Sequence, residues 1–109
     1  MAGLDPAIQL IQRVPMPQGH VYILASKRNG TLYIGVTTNL SARIYAHKEG
    51  QGAAFTKKYG VKHLVWYEAH DMVADAIQRE TSLKRWLRKW KLDLIEKFNP
   101  DWIDLYQTF

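Results

Sequence analysis

Two β-rich runs, Val21–Ser26 and Thr31–Thr37, meet at Lys27-Arg28-Asn29-Gly30, and this junction constrains the fold more than any other part of the chain. Asn-Gly is the strongest short-range hairpin signal, because both residues tolerate the positive φ of a type I′ turn. A two-residue Asn29-Gly30 loop pairs Arg28 with Thr31, Ser26 with Tyr33, Leu24 with Gly35 and Tyr22 with Thr37. Paired residues share a sheet face, and faces alternate along each strand. That register predicts Tyr22 and Tyr33 on one face with Gly35 between them, and Val21, Ile23, Ala25, Leu32, Ile34 and Val36 on an apolar opposite face. A loop one residue longer or shorter separates the tyrosines.

The rest of the chain supplies one more strand and several helices. Leu40–Glu49 is expected to be a helix, with Thr38 or Asn39 as N-cap and Gly50 as terminator. Residues 52–60 read as a loop or short helix, and Leu64–Ala69 as a third strand. A long helix is expected from Val73 to Lys89, broken near Trp90, and a second from Leu92 to Phe98, ending before Asn99-Pro100. The aromatic-rich segment Trp102–Phe109 is expected to pack back on the domain. Pro6, Pro15, Pro17 and Gly19 punctuate residues 1–19, which read as an N-terminal extension with at most a helical turn over 7–13. Residues 20–109 read as a single domain.

With 109 residues, the chain suffices for one core, burying roughly 65% of the unfolded surface. It has no cysteine, which excludes disulfides and a Cys-ligated zinc site. No run approaches the roughly 18 apolar residues of a membrane span. Asp5 early and Arg13 late reverse the charge order of a secretory leader. A soluble cytoplasmic protein is expected, and no feature specifies an oligomeric state.

The net charge is +5, and residues 79–91, with six basic side chains and one acidic, account for all of it. A concentrated positive stripe containing Trp86 and Trp90 suits a polyanion, nucleic acid first, although a solvated lysine and arginine face has the same composition. Docking on an anionic membrane is disfavoured, because the apolar stripe of that helix surrounds a carboxylate and suits an intramolecular core.

That carboxylate is Glu80. Val73, Ala76, Ile77, Leu83 and Leu87 form a stripe at helical spacing, and Glu80 falls in its middle. Carboxylates are rarely buried unless paired or metal-bound. Lys84, one turn later, offers an ordinary i,i+4 ion pair. A single carboxylate beside a positive surface is also how magnesium is held, with water and substrate phosphate completing its shell. Arg43 and His47 are i,i+4 neighbours on the helix after the hairpin. A guanidinium donates two parallel hydrogen bonds to a phosphate, and an imidazole accepts a proton or orients a hydroxyl. His20, His63 and His70 show no metal-ligand spacing. A phenol, with its ordinary pKa of about 10, serves as a base only where cations lower it.

Tyr22, an intact Tyr33-Ile34-Gly35, Arg43 ten residues after Tyr33, His47 four beyond it, Glu80 on a later helix and then Asn99 form an ordered constellation. It resembles the GIY-YIG nuclease superfamily from about Gly19 to Trp102. Glu80-x-x-Leu83-Lys84-x-Trp86 and Asn99-Pro100-x-Trp102 are similar to the small single-domain bacterial members. The resemblance implies an α/β fold of the α+β type, a small three-stranded antiparallel sheet flanked by helices. It implies hydrolysis of nucleic-acid phosphodiesters with one divalent metal, Mg²⁺ or Mn²⁺. Position by position, Glu80 would hold the metal, Arg43 would grip the scissile phosphate, and Tyr22 would act as general base. His47 would assist it, Tyr33 would position water or phosphate, and Asn99 and Gly35 would support the site. Lys84, Arg85, Arg88 and Lys89, with Lys57 and Lys58, are expected to contact nucleic acid, DNA ahead of RNA. Trp86, Trp90 or Tyr59, where exposed, would stack unpaired bases and favour single-stranded or branched substrates. His20-Val21 departs from Gly-Ile in the first motif. The alternative is a non-catalytic nucleic-acid-binding module on the same fold.

Overall fold

Ser26 decides how the hairpin closes. In the computed structural model, which describes residues 17–109, strands β1 (Gly19–Ala25) and β2 (Leu32–Thr37) are antiparallel. Their partners are Ala25 with Leu32, Leu24 with Tyr33, Tyr22 with Gly35 and His20 with Thr37. The expected register is therefore corrected by two residues, and the loop is Lys27–Gly30. The Ser26 hydroxyl accepts from the Thr31 N–H at 2.9 Å, while the Ser26 N–H donates to the Thr31 carbonyl at 3.0 Å. These bonds end the ladder before Arg28 can pair. Of the two expected turn residues only Asn29 adopts positive φ, at 56°, so no type I′ turn forms. A slip of two residues preserves side-chain parity. Tyr22 and Tyr33 still share a face, and Gly35 now lies directly opposite Tyr22.

Strand β3 (His63–His70) pairs antiparallel with the other edge of β1, giving the order β2-β1-β3. Tyr67 opposite Tyr22 joins the tyrosine face. A register shift between Ile23 and Leu24 keeps Leu64 opposite Leu24.

Among the described residues, four α-helices cover the sheet's two faces. Helix α1 (Leu40–Lys48) begins at Asn39, whose side chain accepts from the Ala42 N–H at 3.2 Å. Helix α2 (Ala54–Tyr59) stops at Gly60, in the left-handed region at φ 64°. Helices α3 (Val73–Arg85) and α4 (Arg88–Phe98) come next, and a 3₁₀ turn, Leu105–Thr108, ends the chain. Leu40 and Ile44 of α1 pack with Val61 on Tyr22, Leu24 and Leu64, and Leu105 and Tyr106 cover the same cluster. On the opposite face, Ala76 and Leu83 of α3, Ile95 of α4 and Trp102 pack on Val21, Ile23, Ala25, Ile34, Val65 and Trp66. The apolar face expected from the alternation is this one, and the C-terminal aromatics do fold back.

The expected break near Trp90 falls earlier, at Trp86 and Leu87, whose ψ angles are 150° and 146°. Two extended residues end the helical periodicity. Leu87 is consequently 62% exposed instead of lying on the buried stripe, and α4 turns Leu92, Leu94 and Ile95 back onto the core. The basic residues expected on one helix are thus divided between the end of α3 and the start of α4. Gly19 already pairs with His70 in the sheet, so the structured part reaches into the expected extension. Residues 1–16 of that extension, with the helical turn expected over 7–13, lie outside the described residues. Among the described residues, no helix is long and apolar enough to cross a membrane.

Candidate active site

Gly35 is where the site starts. A Cβ there would lie 2.4 Å from both the Cζ and the hydroxyl oxygen of Tyr22, so the phenol rests on bare backbone. Tyr22 is buried, and its hydroxyl lies 2.9 Å from Nε2 of His47, also buried. Tyr33 completes the group: its ring centroid is 5.4 Å from that of His47 and 6.3 Å from that of Tyr22. Adding a methyl group here overpacks a rigid ring held at both ends. Gly35→Ala is expected to lower unfolding free energy by about 2 kcal/mol and to pull the phenol off Nε2. Chemical denaturation checks the first effect and the ¹⁵N shifts of the His47 ring check the second.

The proton positions follow from counting donors. His47 Nδ1 lies 3.0 Å from Thr56 Oγ1, and the Thr56 hydroxyl donates to the Ala53 carbonyl at 2.8 Å. A hydroxyl has one hydrogen. With it on Ala53, Thr56 accepts from Nδ1–H, and Nε2 keeps the lone pair that receives the Tyr22 O–H. In the reverse arrangement the Tyr22 hydrogen has no acceptor among the described residues. This assignment comes from the network as a whole. The cradle is tight: a Cβ on Gly52 would come within 2.2 Å of Nδ1. Burial first, and then the charge of Arg43, push the His47 imidazole down to about 4, so it is neutral at pH 7. Burial likewise raises the Tyr22 phenol; Arg43 opposes this, while Tyr33 and Glu80 add to it.

Arg43 faces both phenols from α1, one turn before His47. Its contact with Tyr22 outweighs the effect of partial burial and holds the guanidinium charged. Glu80 reaches the same group from α3, between the buried Ala76 and Leu83, and its side chain is only 15% exposed. Oε1 binds Lys84 Nζ at 3.1 Å, the i,i+4 pair expected from spacing. Oε2 has no hydrogen-bond partner among the described residues and is not sealed from solvent. Among the described residues no three carboxylate, imidazole or thiol groups cluster as a metal cage. One carboxylate with a free oxygen fits a hard, water-rich ion such as Mg²⁺ or Mn²⁺, and does not fit a closed zinc centre.

Tyr22, Tyr33, Arg43, His47, Glu80 and Gly35 are thus brought together. Asn99 is not. Its amide donates to the carbonyls of Val65 and Ile103 and accepts from the Ile103 N–H, so it ties the turn after α4 to β3. His20, the departure in the first motif, stays outside the ring group, and its Nδ1 is buried with no partner among the described residues. Lys57, Lys58, Lys84, Arg85 and Lys89 are exposed. Arg88 is exposed as well, and its Nη2 donates to the carbonyls of Asn29 at 2.8 Å and Gly30 at 2.7 Å, clamping the hairpin turn. Arg88→Ala is expected to cost about 1 kcal/mol of stability while changing the salt dependence of nucleic-acid binding less than the loss of an unclamped surface cation does. Arg85→Ala or Lys89→Ala should instead reduce the slope of log K against log salt by about 1. Denaturation curves and a salt titration separate the two outcomes.

Two residues without an expected role touch this group: Thr56, against His47, and Phe55, against Tyr33. Thr56 has no sequence signal, because its role depends on where α2 docks. Phe55 had one, the i,i+4 spacing of Phe55 and Tyr59.

The chain is similar to known proteins over most of its length. The family model described as GIY-YIG catalytic domain matches residues 18–93. The UPF0213 protein SH2523 of Staphylococcus haemolyticus (strain JCSC1435) is 40% identical over 82 residues, covering 75% of this chain and 99% of its own. The UPF0213 protein SA0446 of Staphylococcus aureus (strain N315) is 37% identical over 82 residues with the same coverage, 75% and 99%. The solution NMR structure of the UPF0213 protein BH0048 from Bacillus halodurans superimposes with a TM-score of 0.51 at 30% identity, covering 80% of this chain and 92% of that one.

Proposed function

Since the chain belongs to the GIY-YIG family of nuclease catalytic domains, we propose that it is a metal-dependent endonuclease hydrolysing phosphodiester bonds, with DNA ahead of RNA and single-stranded or branched substrates ahead of duplex. We take Gly19–Phe109 as one catalytic domain, preceded by an extension, working in the cytoplasm. The observation that carries the proposal is the Tyr22 hydroxyl held against a lone pair of a neutral, buried His47, with Arg43 and Glu80 beside it.

In this reading Arg43 seats the scissile phosphate through paired N–H donors and offsets the charge that develops on its oxygens. The phenol oxygen of Tyr22 takes a proton from the attacking water while its own proton passes to His47 Nε2, which then releases it to solvent and returns to the neutral form. The water oxygen bonds to phosphorus, the opposite P–O bond breaks in line, and the leaving oxygen is protonated by solvent. Tyr22 thus acts as base without becoming a free phenolate, which its raised pKa disfavours. Tyr33, beside both rings, positions the water or the phosphate. Glu80 Oε2 would hold the divalent cation, which when bound supplies Lewis-acid stabilisation of the phosphorane charge. Lys57, Lys58, Lys84, Arg85 and Lys89 attract the nucleic-acid backbone without reading sequence.

The test is cleavage of single-stranded, duplex and branched DNA, and of RNA, with Mg²⁺ or Mn²⁺ and with EDTA. Wild type should cut at least one substrate in a metal-dependent way, and Glu80→Ala and Arg43→Ala should not. Equal inertness of wild type and Glu80→Ala across the panel sinks the proposal. Tight, salt-sensitive binding in that case would favour the non-catalytic binding module.

A further inference from the structure

Three aromatic rings step outward from the site. Tyr33, in contact with His47, is stacked with Phe55 at 6.2 Å between centroids and an interplanar angle of 28°. Phe55 in turn lies 4.8 Å from Tyr59, one turn along α2. Phe55 and Tyr59 are 43% and 50% exposed. Neither belongs to either core cluster. Beside them runs a groove of about 380 Å³ lined by Leu32, Tyr33, Ile34, Phe55, Lys84 and Lys91. Its floor is apolar and both of its charged side chains are cationic. Lys57 and Lys58 flank the rings on α2, with Lys58 Nζ 5.3 Å from the Tyr59 ring centroid.

Resting on the nuclease reading and deepening it, we propose that this groove with the Phe55–Tyr59 ladder is a seat for an unpaired nucleobase next to the scissile phosphate. The chemistry has two parts. Flat, exposed rings offer stacking to any base, because every base has a π-face. Lysines at the groove edge take the phosphates on either side without reading sequence. The groove volume lies in the range of pockets that hold a small organic group. A base inside a duplex has both faces covered by its neighbours and cannot stack here. The seat therefore selects a single strand, or a nucleotide left unpaired at a flap or bulge. An acidic protein segment would satisfy the lysines, but it would leave the rings without flat partners.

The experiment reads binding in EDTA, so that it does not depend on cleavage. Fluorescence anisotropy is followed for a labelled single-stranded oligonucleotide, a duplex of the same length, and an abasic oligomer that keeps the phosphates and lacks the bases. Phe55→Leu keeps an apolar side chain at an exposed position, and its melting temperature confirms folding. It should weaken single-strand binding roughly 5- to 100-fold and duplex or abasic binding less than twofold, and Phe55→Tyr should restore it. Tyr59→Leu should act in the same direction. Equal weakening of all three ligands, or of none, overturns the seat, as does preference of wild type for the abasic oligomer. The two readings fail separately: aromatic-dependent binding without cleavage keeps the seat and removes the nuclease, whereas metal-dependent cleavage indifferent to Phe55 does the reverse.

Discussion

Tyr22→Phe is expected to lower the rate of phosphodiester cleavage by roughly 100- to 10,000-fold, the usual contribution of a positioned proton acceptor, with little change in nucleic-acid affinity. The substitution removes one oxygen from a ring resting on Gly35, so its packing cost is small. His47→Ala should fall in the same range, because Tyr22 gives up its proton only if Nε2 can receive it. The double variant should be little worse than either single one, since the two residues move one proton as a unit. Thr56 acts through His47. Thr56→Val keeps the shape, removes the acceptor for Nδ1–H, and allows the tautomer with Nε2–H facing Tyr22. Cleavage should drop and Thr56→Ser should restore it. ¹⁵N shifts of the His47 ring should move toward the other tautomer in Thr56→Val alone. Undiminished cleavage by Tyr22→Phe would remove the phenol from the mechanism and leave another group to take the water proton.

Much of the hairpin could be read from residues alone, and its error is instructive. Alternation decides which side chains share a face, and any even change of loop length preserves it. The pairing of Tyr22 with Tyr33 on one face therefore survived a wrong turn type. Asn29-Gly30 suggested the two-residue turn, but the Ser26 hydroxyl offered Thr31 a competing hydrogen bond. Side-chain to backbone bonds of this kind displace a propensity without altering the hydrophobic pattern. The helix break was expected too late, near Trp90 instead of Trp86, for a related reason. Neither Gly nor Pro marks it, and the return of Leu92, Leu94 and Ile95 to the core is what stabilises the two extended residues.

At the site, legibility tracked chain geometry. Arg43 and His47 lie on one helix at fixed spacing, and Glu80 stood out as a carboxylate in an apolar stripe. Thr56 and Gly52 owe their places to the docking of α2, which no local period encodes. Arg88 shows the converse. Charge counting groups it with Arg85 and Lys89, but two carbonyls of a turn distant in sequence claim its guanidinium. A charge run therefore leaves out the structural work that an arginine does wherever it can reach exposed backbone carbonyls.

Acidification should destabilise the protein through His47, beginning above the range where carboxylates protonate. The folded imidazole is pushed down to about 4 by burial and by Arg43, against an ordinary value near 6.5. Between those values the unfolded chain binds the extra proton and the folded chain does not. Stability therefore rises with pH in that window. The contribution is fully present above about pH 6.5 and is lost as pH falls toward 4, by about 2 kcal/mol at pH 5 and about 3 kcal/mol at pH 4. Every neighbour of the ring is consistent with this sign: Thr56 and Tyr22 are satisfied by the neutral tautomer, Tyr33 supplies a ring edge, and Arg43 repels a second cation. Denaturant titrations at pH 7.5 and pH 5 measure the loss, and His47→Gln, which has no charge to gain, should be less stable at pH 7.5 but show a smaller drop on acidification. The remaining histidines are common to both proteins and cancel in the difference. Identical pH slopes for wild type and His47→Gln would mean that the cradle of Gly52 and Thr56 opens enough to hydrate a charged ring, and the same opening would free Nε2 from Tyr22.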